Sequence, residues 1–527
     1  MVELQGKYQS SSISLFVLSR IASILLLGVL VLLSCREKTS NPNKELTLDA
    51  FSELEDERYR IDVGEIRENI AGLAGKDKAL SSVDRQVGKY YSDSNPFIWI
   101  NRNGLYDRTD TLLSIISQAS RQGLSLNMLR VARIQEDIKR IRNLNIDADG
   151  QSINMVLARL EYNLTRAYFR YASYTRFGLV NPDYFYNNLE EVREDSVVTR
   201  YKNLSEIRAE RPNRAFYECA VSKAFNDSIG EFLTALQPRN ELYAKLIKRL
   251  NSERLSKSER IKTICNIERC RWRLKLLSKQ SFPDKYIEVN IPSYSLRAID
   301  NGDVLQMRVG CGTVANKTPL LASRITRMDV NPQWIVPKSI SKGFVSNYEY
   351  MHKMGMFVFD KKEGKLPPEQ ASYEKVMNGE QYIIQSGGPK NSLGRIIFRF
   401  DNNFSVFLHD TSSPWVFQRE RRAVSHGCVR VEKPYELAKF LLGDIDSETE
   451  EKLKYSMTVR LVNDNDSLAK NKVDRKRLVN SLYVKPSIPL FITYFTVYYG
   501  GNGELADYQD VYGYDEALAE KLKPYVE

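Results

Sequence analysis

The hydrophobic period of this chain changes once, near Lys285, and that change requires two different kinds of structure in one polypeptide. Upstream, apolar residues at positions 157, 160, 164, 167, 168 and 171 recur at the spacing of one helix face, and a second such segment runs from Phe232 to Leu250. Gly104, Gly123, Gly178 and Pro182 punctuate this half as helix ends or turns. Downstream, Tyr286–Ile291, Gln306–Val309, Ile396–Phe400, Phe404–Leu408, Met457–Val462 and Phe491–Tyr499 are short and rich in β-branched and aromatic residues, with turn formers between them. They predict strands of a sandwich or barrel without crossover helices, with one helix opened by Pro434 and running through Phe440. The fold class is α+β: a mainly helical N-terminal scaffold followed by a β-rich domain.

The 527 residues leave room for about two to four domains. A hydrophobic content of 42% excludes a largely disordered or fibrous chain. The expected boundaries are an export segment at 1–35, a polar tether at 36–45, the helical scaffold at 46–280, the β-rich domain at 284–464 and a C-terminal extension at 465–527. Residues 341–385 are a possible lid. Ile21 to Ser34 form an uncharged apolar run of fourteen, short for a bilayer span, ending Leu32-Leu33-Ser34-Cys35. That ending resembles a bacterial lipobox, in which the cysteine, here Cys35, is lipidated. The alternatives are an uncleaved N-terminal anchor and a plainly secreted product, and all three place the chain outside the cytoplasm.

Seventy-seven Lys and Arg against sixty-six Asp and Glu give a net charge of +11, which suits an anionic partner without naming one. The chain has three histidines and six cysteines, so chemistry needing imidazole or thiolate has few candidates. Three of them, His409, His426 and Cys428, fall in Phe407-Leu-His-Asp-Thr411 and Ala423-Val-Ser-His-Gly-Cys-Val-Arg-Val431. A cysteine accepts an acyl group as thiolate, so it needs a base within reach and a turn that exposes sulfur and frees backbone N–H groups for an oxyanion. Gly427 supplies such a turn, and His409, nineteen residues before Cys428, ends a strand that a hairpin-like return brings alongside. Imidazole takes and returns a proton near neutral pH. His352, in the possible lid, reads as a surface histidine. Cys219, Cys265, Cys270 and Cys311 read as buried small hydrophobes, with a disulfide of undecided pairing the alternative in an exported chain; the spacing of Cys265 and Cys270 lacks the companion pair of a metal site.

The Ser-His-Gly-Cys-Val-Arg motif with its upstream histidine resembles the L,D-transpeptidase catalytic domain, also called the YkuD domain, of bacterial envelopes. Further segments resemble successive landmarks of the large YcbB-type subfamily. They are Asn266–Trp272 leading into Tyr286–Pro292, then Thr318-Pro319, Asn331–Pro337, Gly388–Gly394, Leu408–Thr411, Ile492–Thr496 and Asp510–Asp515. Cys270 stands where that subfamily's first landmark carries an aromatic. The resemblance implies Cys428 as nucleophile and His409 as its base, with the Asp410 carbonyl on the other imidazole nitrogen. It further implies an oxyanion hole of the Gly427 and Cys428 N–H groups, lined by Ser425, His426 and Arg430. The implied reaction is acyl transfer between peptidoglycan stem peptides through a cysteine thioester, giving 3→3 cross-links. It needs no metal or organic cofactor and no nucleic acid. Water as acceptor would make the site an L,D-carboxypeptidase; other readings are attachment or detachment of proteins on peptidoglycan, and an inactive wall-binding protein. The expected location is the cell envelope, membrane-anchored and facing the periplasm.

Overall fold

Helix starts follow local side-chain chemistry. Ser81 and Ser256 each accept from the backbone of the third helical residue, while Asp84 and Glu259 reach back to the cap N–H, opening helices Ser82–Ser92 and Lys257–Arg271. Asn181 caps Pro182–Phe185 and Asn240 caps Glu241–Leu250. The computed structural model describes residues 60–76, 81–101, 104–143, 152–252, 254–277, 282–459 and 473–526. The export segment with Cys35, the tether and the start of the scaffold lie outside the described residues. No helix of the described residues is long and apolar enough to cross a membrane.

The chain divides into two compact units. The first comprises the described residues up to Ser114 with Leu129–Phe169 and Ala224–Asp227. It holds a short hairpin, β1 (Ile100–Asn101) and β2 (Gly104–Leu105), among helices. Its buried Glu161 accepts from the backbone N–H groups of Ile98, Trp99 and Ile100 and from the Tyr91 hydroxyl, so one carboxylate closes the loop before β1. Burial pushes the Glu161 carboxyl up to about 7 against the pull of these donors.

The second unit comprises Ile115–Met128, Arg170–Lys223 and Ser228 onward, and so takes in helices from before Lys285. An exposed hairpin, β3 (Glu191–Glu194) with β4 (Val197–Tyr201), precedes the main sheet. That sheet is built from β5 (Lys285–Asn290), β6 (Ser295–Asp300), β7 (Asp303–Gly312) and β8 (Leu321–Val330), followed by an insertion. The insertion contains β9 (Trp334–Ile335), β10 (Met356–Asp360), β11 (Gly364–Leu366) and β12 (Gln381–Gln385), a four-stranded sheet in the order β11-β10-β12-β9. Val336, Met351, Met356, Val358, Val376 and Ile383 give it a core of its own. The main sheet resumes with β13 (Ile396–Phe400), β14 (Leu408–His409), β15 (Ala423–Ser425), β16 (Val429–Val431) and β17 (Ser481–Thr493). A last hairpin pairs β18 (Val497–Tyr499) with β19 (Leu505–Asp507).

The main sheet runs β15-β7-β16-β14-β13-β8-β17-β5-β6, and an additional β6–β7 pairing returns it on itself. The result is a barrel, with β15 left at an edge beside β7. Phe398, Leu408 and Val429 are fully buried in the same core cluster as Ile267 of the helix Lys257–Arg271 and Leu518 near the C-terminus. Burying side chains of this size contributes roughly 1.5–3 kcal/mol each.

Three expected strands differ; the run Phe491–Tyr499 breaks after Thr493, where β17 ends, and resumes at Val497 with β18. Met457 and Thr458 end a helix, Ser447–Thr458, because Asp446 caps Thr449 and Lys452 pairs with Glu448 one turn away; residues 460–462 lie outside the described residues. Of Phe404–Leu408 only Leu408 is strand, since the Asn402 side chain takes the Phe404 and Val406 N–H groups and Ser405 sits at φ 54°. Cys265, Cys270 and Cys311 are buried free thiols as expected, but Cys219, on the helix Arg214–Phe225, is exposed.

Candidate active site

Strand alternation brings the histidine to the cysteine. β14 and β16 are parallel, not joined by the expected hairpin-like return, with Leu408 opposite Val429 and His409 opposite Arg430. Leu408 and Val429 point into the barrel, so His409 and Arg430 share the other face. Cys428, two residues before Arg430, falls on that same face. The Arg430 charge acts on both partners: it favours the neutral His409 ring and the thiolate of Cys428.

The histidine is held from behind. His409 is 4% exposed, and its Nδ1 lies 2.5 Å from the Asp410 carbonyl oxygen. A carbonyl only accepts, so Nδ1 carries the proton and Nε2 of the neutral ring holds the free lone pair. Asp410 is fixed in turn. Its carboxylate accepts from the Arg395 N–H at 2.7 Å and the Thr411 N–H at 2.7 Å, and its own N–H donates to Ile396. Arg395 Nη1 donates to Asn331 Oδ1, while Asn391 Nδ2 donates to Pro332 O and its Oδ1 accepts from Leu393. The two landmark segments at 331–337 and 388–394 are therefore one buttress behind Asp410.

Gly394 makes that approach possible. Its φ is +66°, and a Cβ there would sit 2.4 Å from the Asp410 carboxyl carbon. Gly394→Ala is expected to destabilise the protein by about 1–3 kcal/mol through overpacking. It should also slow acylation, because displacing Asp410 moves the carbonyl that aims His409. Thermal unfolding with single-turnover acylation checks this; a wild-type midpoint and rate would contradict it.

Cys428 follows a turn that requires Gly427, at φ +116°. The turn is locked by Ser425, whose Oγ accepts from the Gly427 N–H at 3.1 Å and donates to the Cys428 carbonyl at 2.5 Å. This corrects the expected oxyanion hole. The Gly427 N–H is committed to Ser425, and the Cys428 N–H, which pairs with no described residue, remains as donor. Ser425, buried at 4%, shapes the turn rather than lining the site, and His426 points outward, exposed. Arg430 is half-buried, and its Nε has no hydrogen-bond partner among the described residues.

Burial decides the resting protonation of the pair. It pushes His409 down to about 4, assisted by the Arg430 charge and opposed by the backbone of Asp410 and Leu393. It pushes the Cys428 thiol up, against a backbone hydrogen bond with Phe407 and the Arg430 charge. Both shifts favour the uncharged forms, thiol and neutral imidazole. His352 is exposed and 2.5 Å from Glu369 in the insertion.

Residues 284–461 match the L,D-transpeptidase catalytic domain, and residues 85–250 match the scaffold domain. The chain carries an L,D-transpeptidase catalytic domain. A candidate L,D-transpeptidase of Haemophilus influenzae is 27% identical over 348 residues, 64% of this chain and 65% of that protein, so the match spans less than two thirds of the relative. Among solved structures, an L,D-transpeptidase from Mycobacterium smegmatis is similar at 14% identity, covering 41% of this chain and 60% of its own, with a TM-score of 0.19. L,D-transpeptidase 3 from Mycobacterium tuberculosis is similar at 10% identity over 41% and 63%, with a TM-score of 0.18. The transpeptidase domain accounts for the strand block, and the scaffold domain for most of the helical half. In the sequence Gly394 stands only as the glycine closing the 388–394 segment; its role depends on the close approach of Asp410, which no local pattern shows.

Proposed function

We propose that this L,D-transpeptidase forms 3→3 cross-links in peptidoglycan through a thioester on Cys428. The observation that carries this reading is the parallel β14–β16 register, which puts the base and the thiol on one face of the barrel. His409 Nε2 takes the Cys428 proton as sulfur attacks the carbonyl between the third residue of a stem and its terminal D-alanine. The Cys428 N–H receives the oxyanion. The imidazolium, steadied by the Asp410 carbonyl, returns its proton to the departing D-alanine amine, leaving a thioester. The amine of a second stem, deprotonated by the same nitrogen, then displaces the thiol. Arg430, with unspent hydrogen-bonding capacity, orients a stem carboxylate, and the net charge of +11 suits a polymer that bears them.

The insertion, which begins at β9 rather than at residue 341, acts as a lid over bound substrate. Its support is a separate core and its direct continuation into the 388–394 segment that braces Asp410. Such a substrate places the enzyme in the envelope, facing the periplasm, with Cys35 as the point of lipid attachment. The test is incubation with tetrapeptide-stem muropeptides, read by mass spectrometry. Dimers linked third residue to third residue with release of D-alanine are expected. Tripeptide monomers alone would show a carboxypeptidase and overturn the cross-linking assignment.

A further inference from the structure

We propose that Thr318 and Tyr512 form a clamp that aims the Cys428 N–H at the oxyanion; this rests on the reading of Cys428 as the nucleophile. The peptide unit joining Gly427 to Cys428 is planar, with its carbonyl and its N–H pointing in opposite directions. Whatever grips the Gly427 carbonyl therefore sets the direction of the Cys428 N–H. Thr318 grips it: its Oγ1 donates to the Gly427 oxygen at 2.8 Å. The same Oγ1 accepts from the Gly312 N–H at 2.8 Å, so the direction of its single proton is fixed.

Tyr512 holds Thr318 from the C-terminal extension. Its hydroxyl accepts from the Thr318 N–H at 3.1 Å and donates to the Gly312 carbonyl at 2.8 Å. Its own N–H donates to the Tyr494 hydroxyl at 2.7 Å, and Tyr494 donates to Asp510. Gly312 has to be glycine, because a Cβ there would lie 2.1 Å from the Asn316 oxygen. Thr318 is fully buried and Tyr512 is 6% exposed, so water does not compete for these bonds. A hydrogen bond to a peptide oxygen also polarises that peptide and makes its N–H a stronger donor. Neither residue reaches the thiol or its base; both are positioning residues for the transition state, tying the last landmark of the chain to the nucleophile turn.

Acylation and alkylation of Cys428 separate this role from a structural one, since acylation builds an oxyanion and displacement at iodoacetamide does not. Thr318→Val should slow single-turnover acylation by a stem peptide on the order of 10–100-fold, short of or equal to loss of an oxyanion donor. Alkylation of Cys428, followed by peptide mapping, should stay near the wild-type rate, and Thr318→Ser should restore acylation. Tyr512→Phe should show the same split more weakly, and the double variant should be no slower than Thr318→Val. Should Thr318→Val fail to fold, the Tyr512→Phe split decides alone. Acylation and alkylation falling together, acylation at the wild-type rate, or additive defects in the double variant would overturn the clamp. Acyl adduct in Cys428→Ala would instead overturn the reading of the nucleophile, whatever Thr318 does.

Discussion

Cys428→Ala is expected to lose acylation and cross-linking on the order of 10⁶-fold, the scale seen when a nucleophile acting as part of a unit is removed. No other described cysteine can substitute. Burial pushes the thiols of Cys265 and Cys311 up to about 12, and Cys270 is pushed further in the same direction. Cys219 is exposed, on the helix Arg214–Phe225, with no catalytic partner among its neighbours in sequence. Cys311→Ala is the matched control: it removes a fully buried sulfur from β7, and so should cost stability while leaving the adduct in place. Turnover is measured as D-alanine release per folded molecule. Activity in Cys428→Ala above the trace level would move the chemistry elsewhere.

His409→Gln should keep the fold and slow acylation on the order of 10²–10⁴-fold, the usual cost of a general base. The pH profile gives the sharper distinction. Because His409 is held down to about 4, the wild-type acid limb of acylation should lie near pH 4 and not near 6.5. Its stability follows the same sign. The unfolded chain takes up the proton first as pH falls, so the contribution of the neutral buried ring is present above about 6.5 and is lost toward 4. His409→Gln should remove both the acid limb and that part of the acid destabilisation. His426→Gln should change neither, since His426 is exposed at the turn. An acid limb that survives His409→Gln but vanishes in His426→Gln would assign the base to the other histidine.

The two halves of the fold were legible because period is a local property: helix faces repeat every three or four residues and strands every two. The helix Ile153–Phe177 and the strands at Lys285–Asn290 and Ile396–Phe400 lie where the spacing predicts. The Cys428 and His409 pair was legible for a different reason, the scarcity of histidine and cysteine beside a glycine turn. What stayed hidden is long-range. Closure of the barrel depends on β16 pairing with β7 and on β17 pairing with β5 and β8, strands far apart in the chain. The Thr318–Tyr512 contact spans 194 residues, which no local pattern encodes. Gly427 was read correctly as a turn former, but its N–H could not be known to be spent on Ser425. Met457 and Thr458 misled because the cap that decides their helix stands at its far end, at Asp446.

The central claim is that a stem peptide is carried covalently on Cys428. Intact mass spectrometry of the wild-type protein, mixed with a tetrapeptide stem and quenched in acid, tests it most directly. The expected result is a mass increase equal to the stem less its terminal D-alanine, mapped after digestion to the peptide containing Cys428. An unmodified protein during turnover, or an adduct mapped to another residue, would contradict it.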